Sequence, residues 1–338
     1  MFVPNRVIFE KDALQYSKAI ELFDYFRSKG IEIITLNSNR VQGIPGDNLA
    51  EKYAEGKRTL VIGVRKTLKF QTCKPSAHFQ LPLVSGCVGQ CEYCYLNTQL
   101  GDKPYIRAYV NIDEILEQAG KYIKERGDEI TIFEGAATSD PLPVEPYTKG
   151  LTKAIEFFAK QAKGRFRFVT KFANVEDFID VEHGGHTSVR FSLNINEVIK
   201  SYEHKTPSVR KRIEAASKVI EKGYPTGFLI APVFLEGDWK KEYDALLKIL
   251  KDNISHMPNK DISFEIISHR FTTKAKNRIL QVFPETTLPM NEENRSYKYG
   301  QFGYGKYIYN KEQINDMKEF FWETITNYFP EGKILYII

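Results

Sequence analysis

The sequence predicts an α/β fold: a partial (β/α)6 barrel of the TIM type, preceded by an N-terminal α/β unit and followed by a C-terminal appendage of helices and a hairpin. Three observations predict it. Helix and strand patterns alternate through the middle of the chain, as parallel βαβ units require. Counting residues 79–84 as the first strand gives about six repeats, short of the eight in a complete barrel. Gly or Pro stands in the loops that follow these elements, at Gly127, Gly164, Gly223, Gly237 and Pro284.

The elements follow in order. Residues 6–10 read as a strand and 12–29 as a helix, with Leu14, Ile20, Leu22, Phe23 and Phe26 recurring near helical period. Strands are expected over 31–36 and 59–64. Past the cysteines come a helix over 112–126 and a strand over 130–134, then a helix over 147–161 and a strand over 166–171. A short helix near 175–179 precedes a strand over 188–195. A helix over 208–222 leads to a strand over 226–233, and a helix over 239–252 to a strand over 261–267. A terminal strand is expected over 333–338. Three parts are therefore expected: 1–75, 76–267 and 268–338.

Composition narrows the class. Of 338 residues, 42% are hydrophobic and 27% charged, as in globular proteins that fold in water. The longest largely apolar run, 228–235, is too short to span a bilayer. The segment Met1-Phe2-Val3-Pro4-Asn5-Arg6 has no signal-peptide core. Three of four cysteines are clustered, which is no secreted disulfide framework. A cytoplasmic protein without membrane contact is expected.

The net charge of +5 is unevenly spread. No Asp or Glu occurs from Gly56 to Cys91, a stretch carrying Lys57, Arg58, Arg65, Lys66, Lys69 and Lys74. A second acid-free stretch, Asn294 to Lys311, interleaves Arg295, Lys298, Lys306 and Lys311 with six aromatics. Such segments attract polyanions.

Cys87, Cys91 and Cys94 fall within eight residues, spaced C-x3-C-x2-C, directly after a predicted strand. Ligands bind at the carboxyl ends of strands in α/β sheets and barrels. Three thiolates leave a tetrahedral zinc site one ligand short, or a cubane iron–sulfur cluster with one open iron. A zinc knuckle would need completion by Cys73, His78 or a more distant His, and its spacing is atypical.

The loop Ser85-Gly86-Cys87-Val88-Gly89-Gln90-Cys91-Glu92-Tyr93-Cys94-Tyr95, with an aromatic before the third cysteine, resembles the signature of the radical S-adenosylmethionine (SAM) superfamily. More narrowly, the chain resembles the spore photoproduct lyase family of DNA-repair enzymes from endospore formers. The segments carrying that resemblance are 64–70, 74–77, 103–107, 138–140, 168–171, 191–194, 231–233 and 269–272. It covers nearly the whole chain.

The resemblance implies a four-iron four-sulfur cluster on Cys87, Cys91 and Cys94, its fourth iron taken by SAM. Reductive cleavage of SAM then gives a 5′-deoxyadenosyl radical, which removes hydrogen from a methylene-bridged thymine dimer. The bridging carbon–carbon bond breaks, the thymine radical is quenched and SAM is regenerated. Tyr93 would lie against the adenine. Ser139, Lys171 and Ser192 would bind the ribose and methionine end, with a backbone contact near Ala231.

The sequence departs from the family at Ala137, where a hydrogen-donating cysteine is usual. Cys73 is the one remaining thiol and the expected replacement, with Tyr95 and Tyr93 relaying the hydrogen onward. The Gly300–Gly303 segment reads as a hairpin tip. In the family this is a wedge for damaged duplex, and here its tip residues are Gln301 and Phe302. Lys57, Arg65, Lys66 and Lys69 are the expected phosphate ligands. The expected partners are double-stranded DNA carrying the thymine dimer and an electron donor, with the chain a monomer. The alternatives are a radical SAM enzyme with another substrate, or a damage-binding homologue without turnover.

Overall fold

A computed structural model describes residues 2–74, 76–101, 103–257, 261–299 and 305–338. The chain forms two compact units, one of residues 1–89, 99–170 and 174–188, the other of residues 90–98, 171–173 and 189–338.

The first unit contains a five-stranded sheet in the order Glu32–Thr35, Arg6–Phe9, Thr59–Gly63, Ile106–Tyr109, Val84–Ser85. The first four strands are parallel and the last is antiparallel to its neighbour. Thr59–Gly63, in the middle, is buried at every residue, as a parallel strand covered on both faces must be. Because Ile106–Tyr109 completes this sheet from beyond the cysteines, the compact unit runs past residue 75, where the sequence reading places a boundary.

The helix expected over 12–29 breaks at Tyr16, whose extended backbone (φ −99, ψ 132) divides a 3-10 turn, Lys11–Gln15, from the helix Ser17–Ser28. The helix Leu49–Lys57 has no apolar stripe to announce it. It begins on a cap instead: the Asn48 side chain accepts from Glu51 N–H, and the Glu51 carboxylate accepts from Asn48 Nδ2 and from Asp47 N–H.

The first unit also holds Gly164–Thr170, Thr131–Glu134 and Ala77–Gln80 side by side and parallel, with Thr72–Cys73 antiparallel to Ala77–Gln80. The helix Ile112–Glu125 buries Ile112, Ile115, Leu116, Ala119 and Ile123 along one face. Lys149 is left-handed (φ 54) and interrupts the helix expected over 147–161. There the Glu145 carboxylate accepts from Leu151 N–H (2.7 Å) and Thr152 N–H (2.9 Å), capping Gly150–Ala159. Residues 176–180 form turns rather than the expected short helix, while Val175 and Phe178 pack fully into the core.

In the second unit Lys333–Ile337, Ile262–Ser268, Thr226–Val233 and residues 189–193 of the strand Thr187–Leu193 pair in that order, all parallel. The helices Val209–Glu221, Trp239–Ile254, Thr273–Val282 and Lys311–Tyr328 belong to it. Ser296–Tyr299 and Gly305–Ile308 pair antiparallel as the arms of the expected hairpin. Among the described residues no helix is long and apolar enough to cross a membrane.

Candidate active site

In the first unit the cysteine loop leaves the strand Val84–Ser85 through Gly86. Gly86 is left-handed (φ +84), and a Cβ there would stand 2.5 Å from Tyr105 O, so only glycine fits. Gly86 N–H donates to Thr138 O (3.0 Å), and Gly86 forms a parallel bridge with Ser139. The segment carrying Ala137 and Ser139 is thereby fixed to the residue preceding Cys87. Gly89 N–H points at Cys87 Sγ (3.3 Å). Such N–H···S bonds support a thiolate that ligates iron.

Cys91 and Cys94 belong to the second unit. Asn97 Nδ2 donates to the carbonyls of Cys91 (3.1 Å) and Glu92 (3.2 Å), tying down the loop's last turn. Gln90–Cys91 pairs antiparallel with Glu203–His204. His204 Nε2 meets Glu92 Oε1 at 2.6 Å, and Thr286 Oγ1 donates to the other Glu92 oxygen. No disulfide joins any of the four cysteines. Among the described residues no three His, Cys, Asp or Glu side chains close around a single ion. A cubane gives each thiolate its own iron and does not need such a cage. A donor set of three thiols, a sulfur-directed N–H and a glycine turn fits a cubane.

Next to these cysteines in the same unit lies a buried polar cluster. Lys171 Nζ donates to Ser192 Oγ (2.9 Å), Glu203 Oε1 (2.9 Å) and Tyr93 Oη (3.2 Å). Tyr93 donates its own O–H to Glu203. Arg212, 0% exposed, places Nη2 2.5 Å from Glu203 Oε2 and donates from Nη1 to Ser192 O at 2.9 Å. Burial alone would push the Glu203 carboxyl up, but Lys171 and Arg212 outweigh it and hold Glu203 at about 2. Burial, and then the charge of Glu203, drive the Tyr93 phenol well above its ordinary range. Tyr93 is thus a neutral, fixed ring.

Three of the residues expected around SAM, Tyr93, Lys171 and Ser192, therefore meet in one network. Ala231 lies on the strand Thr226–Val233, which pairs with the strand carrying Ser192. The sequence reading missed Glu203 and Arg212. The available signal was Arg212 among Val209, Ile213 and Ala216, on the face of its helix that is buried.

In the first unit a cleft of about 370 Å³ is lined by Arg65, Gln71, Gln80, Glu134, Ala137 and Ser139, among others. The Arg65 guanidinium stands over the Tyr109 ring (5.9 Å), and among the described residues its buried Nε has no hydrogen-bond partner. Cys73 is partly buried and paired with Ala77, on the strand next to the cleft residue Gln80. Tyr95 is 52% exposed in the second unit.

The expected phosphate ligands differ in setting. Lys69 is exposed. Lys66 is exposed but ion-paired with Asp12 (2.6 Å). Lys57 corrects the sequence reading: it is buried, and its ammonium donates to Cys87 O at 2.8 Å, so it does not face a phosphate backbone. Gln301 and Phe302 lie outside the described residues. Of the hairpin arms, Tyr299 is 72% exposed.

A thiol loop that begins at a strand end, with a buried cation–hydroxyl cluster on the residues that follow it, defines an α/β enzyme of the cofactor-dependent, partial-barrel class. A sequence model described as spore photoproduct lyase matches residues 2–338. The chain is 54% identical over 334 residues to the spore photoproduct lyase of Clostridium acetobutylicum, covering 99% of this chain and 98% of that one. It is 47% identical over 336 residues to that of Bacillus subtilis, again covering 99% and 98%. A solved spore photoproduct lyase carrying a cysteine-to-alanine and a serine-to-cysteine replacement, with bound AdoMet and dinucleoside spore photoproduct, superposes with TM-score 0.97 at 45% identity, over 100% of this chain and 99% of that one. A further one, complexed with dinucleoside spore photoproduct, gives the same values. The chain belongs to the spore photoproduct lyase family and shares its mixed α/β, partial-barrel fold.

Proposed function

We infer that the chain is a radical SAM lyase that returns the methylene-bridged thymine dimer of DNA to two thymines. The observation that carries this reading is the thiol loop Cys87, Cys91 and Cys94 in a chain that matches the lyase family from end to end. When bound, a four-iron four-sulfur cluster with SAM supplies an electron and a hydrogen-abstracting radical.

The chain's own residues bind and orient. Cys87, Cys91 and Cys94 hold the cluster. Lys171 and Ser192 offer an ammonium and a hydroxyl to the carboxylate and ribose of SAM, with Glu203 and Arg212 fixing both. Tyr93 presents a neutral ring to the adenine. Ser139, bridged to Gly86, brings a hydroxyl next to the cysteine loop. Arg65, which lines the cleft, provides a charge-assisted donor for a phosphate there.

Ala137 holds its hydrogens too strongly to quench a carbon radical. Cys73 takes that role, and Tyr95 returns the hydrogen. The dinucleoside-bound relative with one cysteine replaced by alanine and one serine by cysteine carries the same two residue types that Ala137 and Cys73 present here. Tyr93 is a weaker relay than Tyr95, since its O–H is already given to Glu203. DNA containing the dimer is held by Arg65, Lys66 and Lys69, with the 296–308 hairpin entering the duplex.

Anaerobic reconstitution tests the cofactor assignment. About four iron and four sulfide per chain are expected, falling sharply in Cys91→Ala. Uptake of one zinc in place of iron and sulfide would contradict it.

A further inference from the structure

Lys57 ends the helix Leu49–Lys57. A lysine at a helix C-terminus ordinarily extends its ammonium into water. This one is 3% exposed. Its Nζ passes 5.2 Å from the Tyr53 ring centroid and donates to Cys87 O at 2.8 Å. Among the described residues no carboxylate pairs with it. A buried ammonium held by a carbonyl and a ring lacks the counter-charge that normally offsets its desolvation. The chain is also free of Asp and Glu from Gly56 to Cys91.

We propose that Lys57 is a positioning residue whose counter-charge is the thiolate-held cluster on Cys87, and that it sets how readily that cluster is reduced. The proposal rests on the cluster assignment made above. Its basis is electrostatic. A cubane with three thiolates is an anion, and reduction adds one further negative charge. A fixed cation beside one ligand stabilises the reduced form more than the oxidised form. The hydrogen bond to Cys87 O acts in the same direction by drawing electron density from that ligand. Lys57 therefore favours electron entry and, through the carbonyl, holds the first cysteine in place.

The test is an anaerobic redox titration of the reconstituted full-length chain, followed by electron paramagnetic resonance of the reduced cluster. Iron and sulfide content is measured first in wild type, Lys57→Met, Lys57→Gln and Lys57→Arg. A loaded Lys57→Met is expected to disfavour reduction by about tenfold, a fall of about 59 mV for one electron. Lys57→Gln should fall similarly, and Lys57→Arg should stay near wild type. A loaded Lys57→Met with unchanged potential overturns the proposal. If both neutral variants fail to load, Lys57→Arg decides: loading at wild-type potential supports the role of charge, and failure to load overturns it. A wild-type chain that takes up no cluster instead overturns the assignment beneath the proposal.

Discussion

At the scale of residues, charge decides more than polarity. Glu203 joins Lys171, Arg212 and Tyr93, and its backbone pairs with Cys91. Replacing it with Gln leaves two cations facing a neutral amide. Breaking one side of a buried ion pair costs about 3–5 kcal/mol. Glu203→Gln is expected to lose that much stability at neutral pH, with weaker SAM binding, as read by urea unfolding and equilibrium binding. The pH dependence has a definite sign. The folded carboxyl titrates at about 2 against an ordinary 4.5. Its contribution is therefore complete above 4.5 and declines as pH falls from 4.5 toward 2, because the unfolded carboxylate takes up its proton first. The gap between wild type and Glu203→Gln should narrow over that window. A gap that stays constant from pH 7 to pH 3 would show that Glu203 is not held ionised by its neighbours.

At the scale of elements, the hairpin carries the expectation about duplex. Its arms pair from Ser296↔Ile308 to Tyr299↔Gly305, and the Tyr297 ring lies over Gly305 in the opposite arm. Phe302→Ala is expected to slow repair of duplex DNA severalfold more than cleavage of the isolated dinucleoside, measured as kcat/KM on each. Equal losses on both would assign the hairpin to folding rather than to DNA. The elements also show what periodicity reveals and what it hides. Ile112–Glu125 and Val209–Glu221 were legible because their apolar residues repeat every three or four positions. Leu49–Lys57 was not, because its start is fixed by Asn48 and Glu51 rather than by an apolar face. The interruption at Lys149 was hidden too, since a left-handed lysine leaves no mark on a helical pattern.

At the scale of the whole molecule, the site was legible wherever its chemistry is local in sequence. The three thiols of the cysteine loop stand within eight residues, and Tyr93 lies among them. Lys171 and Ser192 were named only through resemblance, and the structure shows Lys171 donating to both Tyr93 and Ser192. Glu203 and Arg212 escaped because their meaning comes from long-range contacts, Arg212 with Ser192 and Glu203 with Lys171 and Tyr93. Lys57 misled for the same reason. In sequence it is one basic residue of an acid-free stretch, and burial against Cys87 is a tertiary fact.

The proposed repair reaction depends on Cys73, because the Ala137 methyl cannot give up a hydrogen to a carbon radical. The direct measurement is anaerobic incubation of the reconstituted protein with SAM, dithionite and the dinucleoside spore photoproduct, with products resolved by chromatography and mass spectrometry. Wild type should release the repaired thymine dinucleoside over many turnovers, while Cys73→Ala should slow by at least tenfold and divert product into radical adducts. Cleavage of SAM without any repaired dinucleoside, or a Cys73→Ala variant that turns over as wild type, would contradict hydrogen donation by Cys73.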